Sequence, residues 1–335
     1  MEPAHPVSRP QLMAAVVFFA LAAQIGAQEA SPPVQPPGPG APTNQASPAP
    51  IAPPPQARPL VITNAPVTAL LAKAEKGGVL DQFKLGMVFL NGKEVEQDLV
   101  RAADWLRKAA EQGNAAAQFN LAILYTQGAG VSEDYAAAAQ WFRKAADQND
   151  ASAQYNLGSL YALGLGVPQD LATAVQWFRK AAAQNDPQAQ LALAQALAAG
   201  EGAPPDLPEA YVWLSRALGS GRSEAENERE NLLAKMSPAQ VFEGRRRNAE
   251  RGDKEDQYAV GLAYAKGEGA PADLAAAAKW WRQAAAQGHP EAQLRLGLAC
   301  AEGQGVEKNA GEAAKWFRLS AEQGHIKAQF YLGQV

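Results

Sequence analysis

Between Ala117 and Tyr125 the apolar positions fall on one helical stripe, with Ala117, Leu121 and Tyr125 four residues apart and the small Ala122 beside Leu121. This run predicts a first helix, A. Gly128-Ala129-Gly130 then breaks the period, because glycine weakens a helix interior and permits the positive φ that a helix exit uses. Asp134 stands where an N-cap is needed, and the next periodic run puts Ala138, Trp141, Phe142 and Ala145 on a buried side, with Arg143 and Lys144 toward the negative end of the helix dipole. This run predicts a second helix, B, so the local unit is a helix-turn-helix hairpin.

The same residue types recur at Gln154, Leu157, Gly158, Tyr161, Gly164, Gly166, Asp170, Ala174, Trp177, Phe178 and Ala181. Trp105, Trp141, Trp177 and Trp213 are 36 residues apart, as are Trp280 and Trp316. One hairpin cannot bury its own apolar face, so a fixed period of this length predicts stacking: an all-α, right-handed α/α superhelical solenoid of helix-turn-helix repeats. Small residues such as Ala122 and Gly158 let helices approach, and the tryptophan is expected to fill the space between repeats. Trp141→Ala or Trp177→Ala is expected to cost about 3–5 kcal/mol.

Gln82, Gln118, Gln154, Gln190, Gln257, Gln293 and Gln329 mark the helix A starts of an array over residues 65–335. Ala69 to Gly77 reads as a half-unit covering its first repeat. The interval from Gln190 to Gln257 is 67 residues, one full period and a second shortened by five. A degenerate repeat at 222–253 fills it, with helix A over Ser223 to Met236, Ser237 as N-cap before Pro238, and helix B over Ala239 to Arg251. Gly244 stands there in place of the tryptophan. The given sequence stops within the repeat at 327–335, before a helix B; Phe330, Leu332 and Val335 are expected to pack back while Tyr331 stays uncovered, so that either this end self-associates weakly or the natural array continues.

Before the array, Leu12 to Ala23 form an apolar run followed by Ile25-Gly26-Ala27, which reads as a secretory signal peptide over 1–27. Residues 28–64 form a Pro-rich disordered linker: twelve prolines lie between Ser31 and Pro59, with no charge before Arg58. An exported chain, periplasmic or extracellular, without stable membrane insertion after cleavage, is the expectation. The single cysteine, Cys300, excludes an intramolecular disulfide. A net charge of -4 offers no basic face for nucleic acid, and Arg245-Arg246-Arg247 beside acidic residues reads as a solvated helix face.

The stretch from Leu157 to Gln184, LGSLYALGLGVPQDLATAVQWFRKAAAQ, resembles the Sel-one-like repeat family, relatives of tetratricopeptide repeats. Its LGxxYxxGxGV, Asp and WFRKAA elements recur from Val67 to Val335, with departures at Glu94, at Gln195-Ala196-Leu197 and at Cys300. The resemblance implies an α/α superhelix that acts as an adaptor holding partner proteins, often exported in bacteria and tied to envelope or signalling functions.

Chemistry does not rise from the remaining motifs. Gly164-Leu165-Gly166 follows a helix, whereas a dinucleotide fingerprint follows a strand. No Ser-x-x-Lys, GxSxG or HExxH occurs, so the chain is read as no enzyme, with no catalytic residues and no cofactor. His289 and His325 occupy equivalent corners of successive repeats and read as surface turns, about 10 Å apart by helix-packing distances and so too far to share a metal.

Binding is therefore expected on exposed helix A positions that vary between repeats. By analogy with tetratricopeptide arrays, five residues after the marker Gln stand Met87, Ile123, Ser159, Gln195, Leu262 and Leu298, the preferred set for a concave groove that holds a peptide or helix. One residue after it stand Phe83, Phe119, Tyr155, Leu191, Tyr258, Leu294 and Phe330, weighed more as packing between repeats, with Phe119, Tyr155 and Tyr258 kept as candidates. The leading function is an exported protein-protein interaction scaffold; the alternative is a structural envelope component that binds glycan or assembles with itself.

Overall fold

The computed structural model describes residues 64–334, in which sixteen helices follow one another with no strand among the described residues. The expected signal peptide, almost all of the linker and Val335 lie outside them. The chain divides after Gln169 into two bodies, each an α/α solenoid of stacked hairpins. The first holds α1 (Ala65–Glu75), α2 (Val79–Asn91), α3 (Leu99–Glu111), α4 (Ala115–Gln127), α5 (Tyr135–Asp147) and α6 (Ala151–Leu163). The second runs from α7 (Leu171–Ala183) and α8 (Pro187–Ala199) through α9 (Leu207–Gly219), α10 (Glu224–Lys235), α11 (Pro238–Glu250), α12 (Lys254–Lys266) and α13 (Leu274–Ala286) to α14 (Pro290–Glu302), α15 (Ala310–Glu322) and α16 (Ile326–Leu332).

Caps and loops explain why the hairpins close. Asp134 leaves the helical conformation and its carboxylate accepts the Ala137 N–H at 2.9 Å, meeting a donor that the first turn of α5 would leave bare. Its own N–H donates to the Tyr125 carbonyl at 3.0 Å, which ties the start of helix B to the end of helix A. Gly130 has a φ of 71°, and a Cβ on it would lie 2.1 Å from the Leu99 carbonyl oxygen, so this loop position is held against the preceding helix B.

The marker glutamines prove to be a buried relay between repeats. Gln118 Nε2 donates to the Ala110 carbonyl at 3.0 Å, and Gln118 Oε1 accepts from Gln148 Nε2, thirty residues on, at 2.8 Å. Gln82, Gln257 and Gln293 make the same pair of bonds. A buried amide satisfied at both ends fixes register as well as orientation.

The packing corrects the expected role of the tryptophans. Trp105 and Trp141 are half-buried, with the Lys108 and Lys144 nitrogens 3.9 and 3.8 Å above their rings. The residue that fills the inter-helix notch is the next one: Leu106 is fully buried and Phe142 is 1% exposed. A Cβ on Gly86 would lie 2.8 Å from Leu106 Cγ, and one on Gly297 would lie 2.6 Å from the Phe317 ring. One residue turns a helix by about 100°, so the tryptophan moves to the edge of the buried stripe, where its ring takes a snorkelling lysine. Trp177 and Trp213 are buried more fully.

Two further expectations change. Tyr331 is half-buried and stacks on Phe317 at 5.5 Å, whereas Phe330 is 62% exposed and Ile326 80%; the roles assigned to Phe330 and Tyr331 are reversed, because α16 turns residue 331 toward α15. His289 is no surface turn. It is buried, its Nδ1 accepts the Ala292 N–H at 3.2 Å as the N-cap of α14, its Nε2 lies 3.0 Å from Glu255, and its ring packs on Tyr258 at 4.6 Å. His325, at the equivalent corner, makes no side-chain cap bond to α16.

Candidate functional site

The shortened repeat is where the array departs from its own rules. Only Met236 and Ser237 separate α10 from α11, and a capping box starts α11: Ser237 Oγ accepts the Gln240 N–H at 3.3 Å, and Gln240 Oε1 accepts the Ser237 N–H at 2.9 Å. Counting from these caps, Gly244 takes the place of Trp105, Arg245 that of Leu106 and Asn248 that of Ala109. The apolar side chain that fills the notch elsewhere is thus replaced by a cation, and the glycine loop is gone.

A cavity of about 410 Å³ opens between α11 and α12 as a result. Met236, Val241, Phe242, Val260 and Leu262 form its apolar lining, and Arg245, Lys266 and Glu268 its polar one. Phe242 is held edge-on against Tyr264, ring centres 5.1 Å apart.

A buried polar cluster meets the cavity through Arg245, which lines the cavity and lies 3.9 Å from Asp256. Tyr211 on α9 stands where Ala139 and Val175 stand in other repeats, and it fills space next to Gly244: a Cβ there would meet the Tyr211 ring at 3.2 Å. Its hydroxyl donates to the Asp256 carboxylate, 2.8 and 3.0 Å from the two oxygens, and Asn248 Nδ2 donates to Asp256 at 2.7 Å. Burial pushes the Asp256 carboxyl above the ordinary carboxylate range, against the Asn248 and Tyr211 hydrogen bonds that favour its charged form. Arg245 Nε lies 3.9 Å from Asp256 and makes no hydrogen bond among the described residues. The other two arginines are more closely ion-paired. Arg247 reaches Asp206 at 3.0 Å and Glu243 at 2.9 Å, and Arg246 reaches Glu243 and Glu250.

The expected binding residues do not form one open stripe. Met87, Leu262 and Leu298 are half-buried, Ile123 and Ser159 are buried, and Ser159 Oγ donates to the Tyr155 carbonyl at 3.0 Å. Gln195 is half-buried and donates to Glu228 at 2.8 Å. Phe119 packs on Phe142 at 5.8 Å, and Tyr155 is buried. Of the two residues on α12, Leu262 lines the apolar groove, while Tyr258 lines a second cavity of about 480 Å³ with Glu291, Leu294 and Arg295. Met236, Val241, Phe242 and Arg245 were not expected at a site. The five-residue deficit and Gly244 were the signals that could have found them.

The Sel1 repeat model matches residues 80–114, 115–150, 151–186, 187–221, 255–289 and 290–325, and passes over the shortened repeat. Among solved structures, a protective antigen of uropathogenic Escherichia coli strains that displays an SLR fold is 35% identical, with 80% of this chain and 58% of that chain covered and a TM-score of 0.49. A Sel1 repeat protein from Oxalobacter formigenes is also 35% identical, with 80% and 79% covered and a TM-score of 0.43. This chain therefore spans less than two thirds of the Escherichia coli protein's length. No curated protein matches.

Proposed function

This chain belongs to the Sel1 repeat family, whose members generally mediate protein–protein interaction on a generally non-catalytic scaffold, and on that premise we propose that it is an exported adaptor that holds a partner protein at the groove between α11 and α12. The observation that carries the reading is Leu262, a variable helix A residue that lines an open apolar cavity where the repeat pattern fails. Scaffold positions recur from repeat to repeat, so a surface that must discriminate among partners is best built where they do not. An apolar lining suits a peptide or helix face better than a sugar, which favours a protein partner over the glycan reading.

Export rests on the Leu12–Ala23 apolar run and the small-residue site at Ala27. No helix among the described residues is long and apolar enough to cross a membrane. The test is a footprint: amide hydrogen exchange of the full chain with and without its captured partner. Slowed exchange in α11 and α12 supports the reading, and slowing confined to other helices contradicts it.

A further inference from the structure

We infer that the groove between α11 and α12 takes a short segment of partner protein in which a large apolar side chain stands beside a carboxylate. The inference rests on the scaffold reading and adds the partner's chemistry. A cavity of about 410 Å³ lined by Met236, Phe242 and Leu262 has room for a large side chain. Beside it stands Arg245, and no full repeat has a cation at that position: Leu106, Phe142, Phe178, Leu214, Trp281 and Phe317 occupy it.

Arg245 is a guanidinium whose local partner is already committed. Its Nε is buried without a hydrogen bond, and Asp256, 3.9 Å away, is taken up by Tyr211 and Asn248. Lys266 adds a second positive group, and its pairing with Glu268 at 3.6 Å is between two exposed side chains, which solvent screens. The groove thus carries Arg245 and Lys266, and an incoming carboxylate would meet the exposed part of the Arg245 guanidinium, whose side chain is 37% exposed, next to the apolar lining. The chain's own Pro-rich stretch does not match this chemistry, since no acidic residue occurs between Glu29 and Glu75.

The test uses three fluorescein-labelled decapeptides in a Gly-Ser frame, bearing leucine beside glutamate, leucine beside lysine, or serine beside glutamate, each titrated by anisotropy into the full chain. The leucine–glutamate peptide is expected to bind about tenfold tighter than either of the others, as one partly desolvated charge pair would give. Arg245→Gln should abolish the preference for glutamate over lysine and keep the dependence on leucine. Should Arg245→Gln lower the melting temperature, Lys266→Gln, at an exposed site, is expected to reduce the same preference severalfold. Equal affinity for the glutamate and lysine peptides, or no saturable binding of any, overturns the inference. A wild-type dimer that Arg245→Gln disperses would put a second copy in the groove and also overturn it. The scaffold reading fails on a different result, an exchange footprint of the captured partner that leaves out α11 and α12.

Discussion

The Tyr211 hydroxyl donates to the Asp256 carboxylate across 45 residues of sequence, at 2.8 and 3.0 Å from its two oxygens, and so joins the two repeats that flank the shortened one. Both residues replace small ones. Tyr211 stands at the position of Ala139 and Asp256 at that of Ala117, and the tryptophan that would have occupied the neighbouring space is Gly244. Aromatic bulk has moved from one helix to its neighbour, and a polar contact has replaced an alanine one.

The burial of Asp256 makes stability depend on pH. Burial raises the Asp256 carboxyl above its unfolded value, so the folded chain holds that proton more tightly than the unfolded chain does. The contribution is fully present below the ordinary carboxylate range and is lost as pH rises through the raised value. The urea midpoint of the wild type should fall over that window relative to Asp256→Asn; a difference that does not vary with pH would contradict it. Tyr211→Phe, which leaves the buried carboxylate one donor short, should cost about 1–3 kcal/mol.

The core assignment predicts an order of effects. Phe142 is buried to 1% and Trp141 only half, with its ring under Lys144. Phe142→Ala should therefore cost about 3–5 kcal/mol and Trp141→Ala clearly less, despite the larger side chain removed. Chemical denaturation of the two variants checks this, and the reverse order would restore the tryptophan as the plug.

Much of this fold was legible from spacing alone. The Asp134 cap, the Ser237–Pro238 start and the shortened repeat follow from local residue types whose physics acts within a few positions. What was not legible depends on which way a helix face turns by one residue. Trp141 and Phe142 are neighbours in sequence and both apolar, so periodicity does not say which one enters the notch. Ile123 and Ser159 share a register position with Leu262, yet they are buried and Leu262 lines a cavity, because the repeat before Leu262 lacks the loop and the plug. The site is a defect in the pattern, and a pattern-based reading looks past it.

Export predicts a processed N-terminus. Intact-mass spectrometry of protein recovered from cells should find a chain beginning at Gln28, and an intact Met1 on cytoplasmic protein would remove both the localisation and the linker proposal.

Exposed Ile326 and Phe330 place apolar side chains in solvent on one short helix. Weak self-association through α16 is the expected consequence, seen as a concentration-dependent mass in analytical ultracentrifugation that Phe330→Ser suppresses. A strictly monomeric wild type at high concentration contradicts it.

Partner binding at the groove between α11 and α12 is decided by Leu262→Glu in the full chain, with melting temperature and partner capture measured side by side. Leu262 is half-buried at an open cavity, so the melting temperature should stay within a few degrees of wild type while the partner is lost, and Met87→Glu, in the other body, should retain the partner. Undiminished capture by Leu262→Glu, or a collapsed melting temperature that makes Leu262 part of the core, would contradict it.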